Sequence, residues 1–406
     1  MRRLDAALRS VALNREGKRH QAGALQIMSV QQTLADLVAI DSVSARSNAA
    51  IISYLNDRCE RLGFQTQQFP HVDENGDEKI NLVASKAPSS LPVARAFQIE
   101  LALAGHTDTV PYDSNWKEAL TLTERDGKLF GRGACDTKAF IAAALTAVES
   151  LDLDKLTKPL ALVFTSDEEI GCLRAKRLAT AKPFTARYAI VGEPTSLQPR
   201  RAGKGYCLAQ ITVRGREAHS AYPQLGASAI FRAARLLEQI ERIAEDLKAD
   251  KHSDFDPPFT TLNVGLINGG SAKNIVPGEC RFTLEWRTIP GQASQHVLKL
   301  VKHAVAELLQ EDADFVCEID AARADESFET AQDSALVDFL QETAGKSAGT
   351  VAFGTEAPSM IALGAEAVVF GPGDIRVAHR TGEFVPIGEL NRCVEILRQA
   401  IVHFCQ

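Results

Sequence analysis

The sequence predicts an α/β fold in which a mixed, mainly parallel sheet flanked by helices is interrupted by an inserted ferredoxin-like βαββαβ domain. The first observation is a set of four short apolar runs, typical of buried strands, at residues 98–105, 159–164, 188–191 and 367–370. The second is a different series of strand and helix patterns after Pro199. The third is the length, because 406 residues, 45% of them hydrophobic, suffice for two cores.

Helical and strand patterns alternate through the first part of the chain. Residues 30–40 and 48–62 have the spacing of amphipathic helices, and residues 64–69 and 80–85 have the composition of strands. The helix predicted at residues 140–151 is apolar on nearly every side, which indicates a buried position. This alternation is typical of an α/β sheet.

The second part of the chain contains the inserted domain and then returns to the first pattern. Its predicted elements are a strand at 206–213, a helix at 227–247, strands at 260–267 and 280–286, a helix at 295–309, a strand at 315–319, a helix at 335–343, a strand at 367–370 and a closing helix at 387–404. We therefore expect a larger domain formed by residues 28–199 and 323–406, and an inserted domain at 200–322.

The first 27 residues differ from the rest in being rich in arginine, with only weak helical patterning. They lack the apolar stretch of a secretory signal. A transit peptide is an alternative, although Asp5, Glu16 and the scarcity of serine argue against it. We expect residues 1–27 to be a disordered extension and the ordered domain to begin near Met28.

Composition argues against several classes of partner. The net charge of −7, from 45 Lys and Arg against 52 Asp and Glu, argues against a nucleic-acid partner, which needs clustered basic residues. No apolar run approaches the roughly 18 residues of a membrane helix, so we expect no membrane partner. The eight cysteines fit neither a zinc ribbon nor a disulfide framework, which indicates reduced thiols and a cytoplasmic location.

Polar side chains follow the ends of the four apolar runs. His106 and Asp108 follow the first run, the acidic cluster at 167–169 the second and Glu193 the third, while His379 lies beyond the fourth. Singly, each fits a simpler explanation: a capped turn, a solvated acidic turn, an ordinary turn or a surface histidine. A doubly wound sheet, however, binds ligands beyond the carboxyl ends of its strands, so we expect these side chains to meet at one edge. Together they are the ligand inventory of a metal hydrolase.

Other carboxylates near these positions suggest more specific roles. Asp136 precedes the buried helix, where it fits an N-cap worth about 1 kcal/mol, but a carboxylate at a helix entry also reaches a metal. Glu168 and Glu169 are adjacent and point to different sides of a strand end, so one can bind a metal while the other serves as a base. Asp108 is spaced to accept the second ring N–H of a ligating His106.

Several segments resemble a known family of dinuclear metallohydrolases, which includes acetylornithine deacetylase, succinyl-diaminopimelate desuccinylase, aminoacylase and the glutamate carboxypeptidases. The segments are HTDTVP at 106–111, GRGACDTK at 131–138, SDEE at 166–169, GEPT at 192–195, REAHSA at 216–221, GSAKNIVP at 270–277 and VFGPGD at 369–374. The resemblance runs from Met28 to the C-terminus, and GTEAP at 354–358 is most similar to the acetylornithine deacetylase branch. Thr137 and Ala139 depart from that branch, which bears on substrate choice and not on the chemistry.

The resemblance implies a centre of two divalent metal ions, Zn²⁺ or Co²⁺ before others. Asp136 would bridge the two ions. His106 and Glu193 would complete one site, and Glu169 and His379 the other. All five are nitrogen or oxygen ligands, as those metals accept. The resemblance also implies a cis peptide bond between Asp136 and Thr137.

The resemblance implies roles for further residues in amide hydrolysis. Glu168 would be the general base, and His219 would bind the oxyanion from the partner subunit of a homodimer, since the inserted domain serves this family as lid and dimerisation domain. Asn274 and Arg287 would hold the α-carboxylate of a small-molecule substrate. We hypothesise that Glu356, in a segment expected to face the substrate, pairs with a side-chain ammonium.

The expected reaction is hydrolysis of N-acetyl-L-ornithine to L-ornithine and acetate, in arginine synthesis. Another N-acylamino acid, succinyl-diaminopimelate or a dipeptide is the alternative substrate. A non-catalytic binding protein is a second class, but it would be expected to have lost a ligand or Glu168. A cysteine nucleophile at Cys135, paired with a histidine, is a third class and would leave the carboxylate cluster without a role.

Overall fold

The computed structural model describes residues 28–92 and 97–406, so the expectation for residues 1–27 lies outside the described residues. The first half of the chain alternates helices and strands. Its elements are α1 (Val30–Ala39), α2 (Ala49–Arg61), β1 (Gln65–Val72), β2 (Glu78–Lys86), β3 (Gln98–His106), β4 (Thr123–Arg125), β5 (Lys128–Phe130), α3 (Lys138–Glu149), β6 (Leu160–Thr165), α4 (Leu173–Ala181), β7 (Thr185–Val191) and β8 (Arg200–Gly203).

The second half contains the inserted sheet and the remaining elements of the large one. They are β9 (Tyr206–Arg214), β10 (Ala218–His219), α5 (Ala229–Asp246), β11 (Thr261–Gly269), β12 (Ile275–Val276), β13 (Glu279–Arg287), α6 (His296–Glu311), β14 (Val316–Asp325), β15 (Phe328–Glu329), α7 (Ala335–Ala344), β16 (Gly349–Val351), α8 (Ala357–Ala362), β17 (Glu366–Val369), β18 (Phe384–Pro386) and α9 (Ile387–Cys405). Among residues 28–92 and 97–406, no helix combines the length and apolar character needed to cross a membrane.

The large sheet has nine strands and the mixed topology that the sequence predicts. The strand order is β1-β2-β6-β3-β7-β17-β8-β15, with β16 beside β8. The four central strands β6, β3, β7 and β17 run parallel, while the pairs β1–β2, β2–β6, β17–β8 and β8–β15 are antiparallel and β16 runs parallel to β8. The carboxyl ends of the central strands therefore share one edge, where the predicted site residues follow them.

Alternating side chains divide the central strands between two helical layers. In β3, Leu101 and Leu103 pack into a core with α1, α2, α3, α7 and α9. Ala102 and Ala104, one residue on, face the opposite core with α4 and α8. This alternation follows from the period of two along a strand. Helix α3 lies in the first of these layers, between the sheet, α1 and α9, and this enclosed position accounts for its apolar residues on nearly every side.

The inserted sheet is antiparallel, with the order β11-β13-β9-β14. Helices α5 and α6 cover one face, where Ile211, Phe282 and Trp286 form a core of their own. The elements follow the predicted βαββαβ order, and β10 and β12 add a two-stranded ribbon.

The limits of the inserted sheet differ from the expected 200–322. Strand β8, at residues 200–203, pairs with β17 and β15 and so belongs to the large sheet. Strand β14 continues to Asp325, beyond its apolar pattern, because it pairs with β9 as far as Tyr206. The inserted sheet therefore occupies residues 206–325.

Gly192, just after β7, lies where the backbone beside the site approaches Phe140 of α3 closely. A Cβ at this position would lie 2.2 Å from Cδ1 of Phe140. We expect Gly192→Ala to lower the free energy of unfolding by about 1–3 kcal/mol, because overpacking must displace buried atoms.

Gly388→Ala is the control, because a Cβ there meets no atom within 4 Å. Gly388 lies in the first turn of α9, so alanine is expected to be neutral or to add up to about 1 kcal/mol. Urea unfolding of both variants tests this, and equal losses would contradict it.

Candidate functional site

Two groups of ligand atoms meet at the carboxyl edge of the sheet. One consists of His106, Asp136 and Glu193, and the other of Asp136, Glu169 and His379. Within each group the ligand atoms lie within 4.8 Å of one another. Asp136 belongs to both groups, so the structure brings the five predicted metal ligands together around a shared carboxylate.

His106 is oriented by the backbone at the end of β3. Its Nε2 lies 3.1 Å from Oδ1 of Asp136, and its Nδ1 lies 3.1 Å from the carbonyl oxygen of Asp108. The nearest carboxylate oxygen of Asp108 is farther, at 3.6 Å. The ring N–H is therefore held mainly by a carbonyl, which differs from the expectation that the Asp108 side chain would hold it.

The Asp108 carboxylate instead holds the acidic loop that follows β6. It accepts the hydroxyl of Ser44 at 2.8 Å and the backbone N–H groups of Glu168 and Glu169 at 3.2 and 3.3 Å. These bonds and the contact with His106 lower the pKa of Asp108, although burial alone would raise it. Asp108, just beyond β3, can accept the N–H groups of the loop after β6 because β3 and β6 end beside each other, with His106 paired to Thr165.

His379 joins the second group from the rim of the site. Its Nε2 lies 3.1 Å from Oδ2 of Asp136 and 3.0 Å from Oε2 of Glu169. Hydrogen bonds to Asp136 and Glu169 raise the pKa of His379 to about 10. Burial alone would raise the pKa of Asp136, but its bonds to His106 and His379 lower it.

The donor set fits divalent metal ions. Oε1 of Glu169 is buried without a hydrogen-bond partner among the described residues, which suits an oxygen that faces a cation. Burial first, and then the neighbouring carboxylates, raise the pKa of Glu193 well above its ordinary value. A cation between these groups would remove the repulsion. The peptide bond between Asp136 and Thr137 is cis, as the sequence resemblance implies.

Glu168 lies beside the ligands without belonging to either group. Burial raises its pKa to about 8, and the carboxylates of Glu169, Asp136 and Glu356 act in the same direction, while His106 acts against them. The Cys172 thiol donates a hydrogen bond to Oε1 of Glu168 at 3.3 Å. Sequence reasoning missed Cys172, although its position just before α4, four residues after Glu168, was a local signal.

Cys135 has none of the features of a nucleophile. It is buried, and its Sγ lies 3.5 Å from the carbonyl oxygen of Asp374. Burial raises the pKa of this thiol well above its ordinary value, and no hydrogen bond joins it to a histidine among the described residues. A reactive cysteine needs the opposite environment, because the thiolate is the nucleophile.

Glu356 is the residue immediately before α8, and one of its carboxylate oxygens has no hydrogen-bond partner among the described residues. Its Oε2 accepts the hydroxyl of Thr165 at 2.7 Å, at the end of β6. Its Oε1 is buried and has no hydrogen-bond partner among the described residues. Burial raises the pKa of Glu356 to about 7.

His219 and Asn274 lie together on the β10–β12 ribbon. The carbonyl oxygen of Asn274 accepts the N–H of Ser220 at 3.0 Å, and both side chains are exposed. Nδ1 of His219 accepts the N–H of Ala221 at 3.1 Å. No hydrogen bond or ion pair joins His219 to the metal-ligand candidates within the described parts of the chain.

Arg287 and Asn274, which are both expected to hold the α-carboxylate of the substrate, lie on different sides of strand β13 in sequence. Asn274 precedes β13, whereas Arg287 is its last residue. A nine-residue strand spans roughly 26 Å at 3.3 Å per residue, so one chain in this conformation does not join them. Arg287 instead donates to the carbonyl of Ala352 at 2.6 Å and lies 4.4 Å from the ring centroid of Tyr206.

Arg323 is a second guanidinium beside Tyr206, and sequence reasoning missed it. It lies 4.5 Å from the ring centroid, on β14. Burial lowers the pKa of Arg323, but the carboxylates of Asp325 and, to a smaller extent, Glu168 raise it overall. Arg323, near the end of β14, therefore brings positive charge within range of Glu168.

Comparison with known families and proteins agrees with this geometry. Residues 102–403 match the model of peptidase family M20/M25/M40. The chain is 51% identical to an acetylornithine deacetylase from Myxococcus xanthus, over 93% of this chain and 98% of that protein. It is 34% identical to an acetylornithine deacetylase from Yersinia pestis, over 91% of this chain and 94% of the relative.

Solved structures with the same fold are more distant in sequence. A tripeptidase from Staphylococcus aureus superposes with a TM-score of 0.71 at 22% identity, covering 92% of this chain and 98% of that one. An M20 family metallo-carboxypeptidase from Sulfolobus solfataricus gives a TM-score of 0.69 at 21% identity, with the same coverage. These likenesses establish the α/β fold with its inserted domain.

The raised pKa of Glu356 predicts a pH-dependent stability of the metal-free protein. Because the folded pKa of about 7 exceeds the ordinary 4.5, the folded state binds this proton more tightly. That contribution is complete below pH 4.5 and is lost as the pH rises toward 7 and above. Glu356→Gln has no carboxyl to ionise at this position. The difference between its melting temperature and that of wild type should therefore be more positive at pH 8 than at pH 5.5.

Glu74→Gln, at an exposed loop position, is the matched control. Thermal unfolding after chelator treatment, at both pH values, provides the measurement. If Glu356→Gln shifted the melting temperature by the same amount at pH 5.5 and pH 8, the carboxyl would not be the source of the dependence.

Proposed function

The chain belongs to peptidase family M20/M25/M40 and is a hydrolase, and on that premise we propose that it removes the acetyl group from N-acetyl-L-ornithine. The products would be acetate and L-ornithine, a precursor for arginine synthesis. The observation that carries the hydrolytic chemistry is the shared carboxylate of Asp136 with Glu168 buried beside it. The choice of substrate rests on the 51% identity to an acetylornithine deacetylase.

The two ligand groups would hold the metal ions. His106, Asp136 and Glu193 would hold one ion, and Asp136, Glu169 and His379 the other. Their nitrogen and oxygen donors suit Zn²⁺ and Co²⁺. When bound, two such ions supply Lewis acidity that polarises an amide carbonyl and lowers the pKa of water.

Glu168 is proposed to move the proton. It would accept a proton from the water that attacks the acetyl carbonyl, and donate it to the ornithine nitrogen as the carbon–nitrogen bond breaks. The same carboxyl would gain and then lose the proton within one turnover. The Cys172 thiol would keep the carboxylate turned toward the reaction.

Charged groups around the site would recognise the two ends of the amino acid. The unused Oε1 of Glu356 would accept the side-chain ammonium of ornithine. Arg287, fixed by Ala352 and Tyr206, would bind the α-carboxylate with its planar fork. A substrate with both charges would thus be preferred over a neutral acylamino acid.

We propose that a second copy of the chain completes the site. Large apolar side chains lie exposed on the inserted domain: Leu225, Ile230, Phe231, Leu266 and Ile267. Phe231 is 75% exposed and Leu266 71%, which is unusual for a surface that stays in water. Ile230 and Phe231 line a cleft of about 680 Å³ together with Ser220 and residues 269–273, next to His219.

A homodimer through this surface also accounts for the separation of Asn274 and Arg287. The ribbon that carries His219 and Asn274 would reach the site of the other copy. His219 of the partner subunit would then bind the oxyanion, and Asn274 of the partner subunit would meet Arg287 at the α-carboxylate. The site would be complete only in the dimer.

Initial rates on a substrate panel test the proposed activity. With Zn²⁺ or Co²⁺ restored, kcat/KM should be highest for N-acetyl-L-ornithine, compared with N-succinyl-diaminopimelate and N-acetyl-L-methionine, and chelator should abolish it. Glu356→Gln should raise KM for N-acetyl-L-ornithine by roughly tenfold or more, because an ion-paired hydrogen bond is lost. It should change KM for N-acetyl-L-methionine little.

Two outcomes would contradict the proposal. A preference for N-succinyl-diaminopimelate or the neutral substrate would reassign the substrate within the family. Equal changes in KM for both acetylated substrates in Glu356→Gln would leave Glu356 a structural role only.

Complementation tests the proposed role of His219. His219→Ala should lose about 10²–10³ in kcat and keep its metals, because an oxyanion donor stabilises only the transition state. Glu168→Ala should also be inactive. In a mixed dimer, the His219→Ala subunit keeps its own Glu168 and receives His219 from the other subunit.

Activity should therefore appear when the two inactive variants exchange subunits. It should rise in step with the heterodimer population measured by native mass spectrometry. Inactive heterodimers would place His219 in the site of its own chain or outside the reaction.

A further inference from the structure

Glu383 is a fully buried carboxylate whose contacts all lead to the segment that carries Asp136. Its Oε1 accepts the backbone N–H of Cys135 at 2.9 Å and that of Asp136 at 3.0 Å. Its Oε2 pairs with Arg132, which is also buried. We propose that Glu383 is a positioning residue that fixes Asp136 for metal binding, an inference that rests on the proposed metal centre.

The ion pair with Arg132 makes this arrangement possible. A buried carboxylate is costly unless it is paired and hydrogen-bonded, and here both oxygens have charged or N–H donors. Arg132 is in turn held by the Pro111 carbonyl at 3.3 Å and by the Trp116 ring, whose centroid is 5.5 Å from its guanidinium carbon. Two consecutive amides that meet one ionised oxygen form strong, directional bonds.

The backbone around Glu383 joins the two segments that supply Asp136 and His379. Its carbonyl accepts the N–H of Gly131 at 3.1 Å. Strand β18, which starts at the next residue, pairs with β5, which ends just before Gly131. His379 lies only four residues before Glu383, and its Nε2 is 3.1 Å from Asp136.

Glu383 therefore connects the segments of two of the three ligands of the second group, Asp136 and His379, and belongs to neither ligand group itself. A change in its side chain would alter the placement of Asp136, which belongs to both groups. Partners one step removed from a metal typically account for 10–100-fold in metal affinity. Glu383 has no hydrogen bond to Glu168 in the described structure, so the proton acceptor should be affected only through the ligands.

The experiment is calorimetric titration of Zn²⁺ into the full chain after chelator treatment. Glu383→Gln keeps the size of the side chain but removes the charge that holds Arg132 and the two amides. We expect it to bind Zn²⁺ roughly 10–100-fold more weakly than wild type. Glu383→Asp keeps the charge but is one methylene too short to reach both partners, so it should also weaken binding, and it serves if the Gln variant does not fold.

Glu149→Gln is the matched control. Glu149 forms another largely buried carboxylate–arginine pair, with Arg58, at the far end of α3 from Asp136. Both variants should lower the melting temperature of the metal-free protein, but Glu149→Gln should bind Zn²⁺ as wild type does.

Three results would overturn the inference. Wild-type affinity in folded Glu383→Gln or Glu383→Asp would show that Asp136 does not depend on Glu383. Equal weakening in Glu149→Gln would show a general effect of lost stability. A wild-type chain that binds fewer than two ions would refute the metal centre itself, and the inference with it.

Discussion

Crowding of carboxylates is the constraint on which the rest of the site depends. Asp136, Glu168, Glu169, Glu193 and Glu356 lie at one edge of the sheet, together with Asp108. Burial first, and then neighbouring carboxylates, raise the pKa of Glu168, Glu169, Glu193 and Glu356, whereas contacts with histidines lower the pKa of Asp136 and Asp108 against the effect of burial. Such a cluster is stable only with protons or cations between its members. The surrounding fold must therefore fix the positions of these carboxylates against their mutual repulsion.

The fold meets this constraint by binding the backbone around the cluster with buried charges. Asp108 holds the amides after β6, and Glu383 holds the amides before α3. Lys138 is buried and donates to backbone carbonyls at the end of α1, and the buried Lys79 donates to carbonyls of the loop after α1, which also supplies Ser44 to Asp108. Burial lowers the pKa of Lys138 to about 8. The ligands are thus positioned by charges that bind main chain as well as by their contacts with each other.

The metal-ligand candidates His106, Glu169 and Glu193 could be predicted from the sequence because parallel strands end at a common edge and each of the three lies within four residues of its strand end. Partnerships across the chain could not. Glu383 lies 247 residues from Asp136, and its own surroundings, between Gly382 and Phe384, resemble an ordinary turn. The spatial relation of Asn274 and Arg287 could not be predicted for the opposite reason: they are near in sequence, but a whole strand lies between them. Strand β8 lies within the expected limits of the inserted domain but belongs to the large sheet, because pairing, not composition, decides membership.

The two ligand groups differ in access to solvent, since His379 is 49% exposed while His106, Asp136 and Glu193 are all buried. An ion held by the buried trio could leave only after local opening of the loops around it. An ion held by His379 and Glu169 would exchange directly with the medium. The residence times of the two ions would therefore differ. In the purified protein, the occupancy of the outer position would depend on the buffers used more strongly than the occupancy of the inner position.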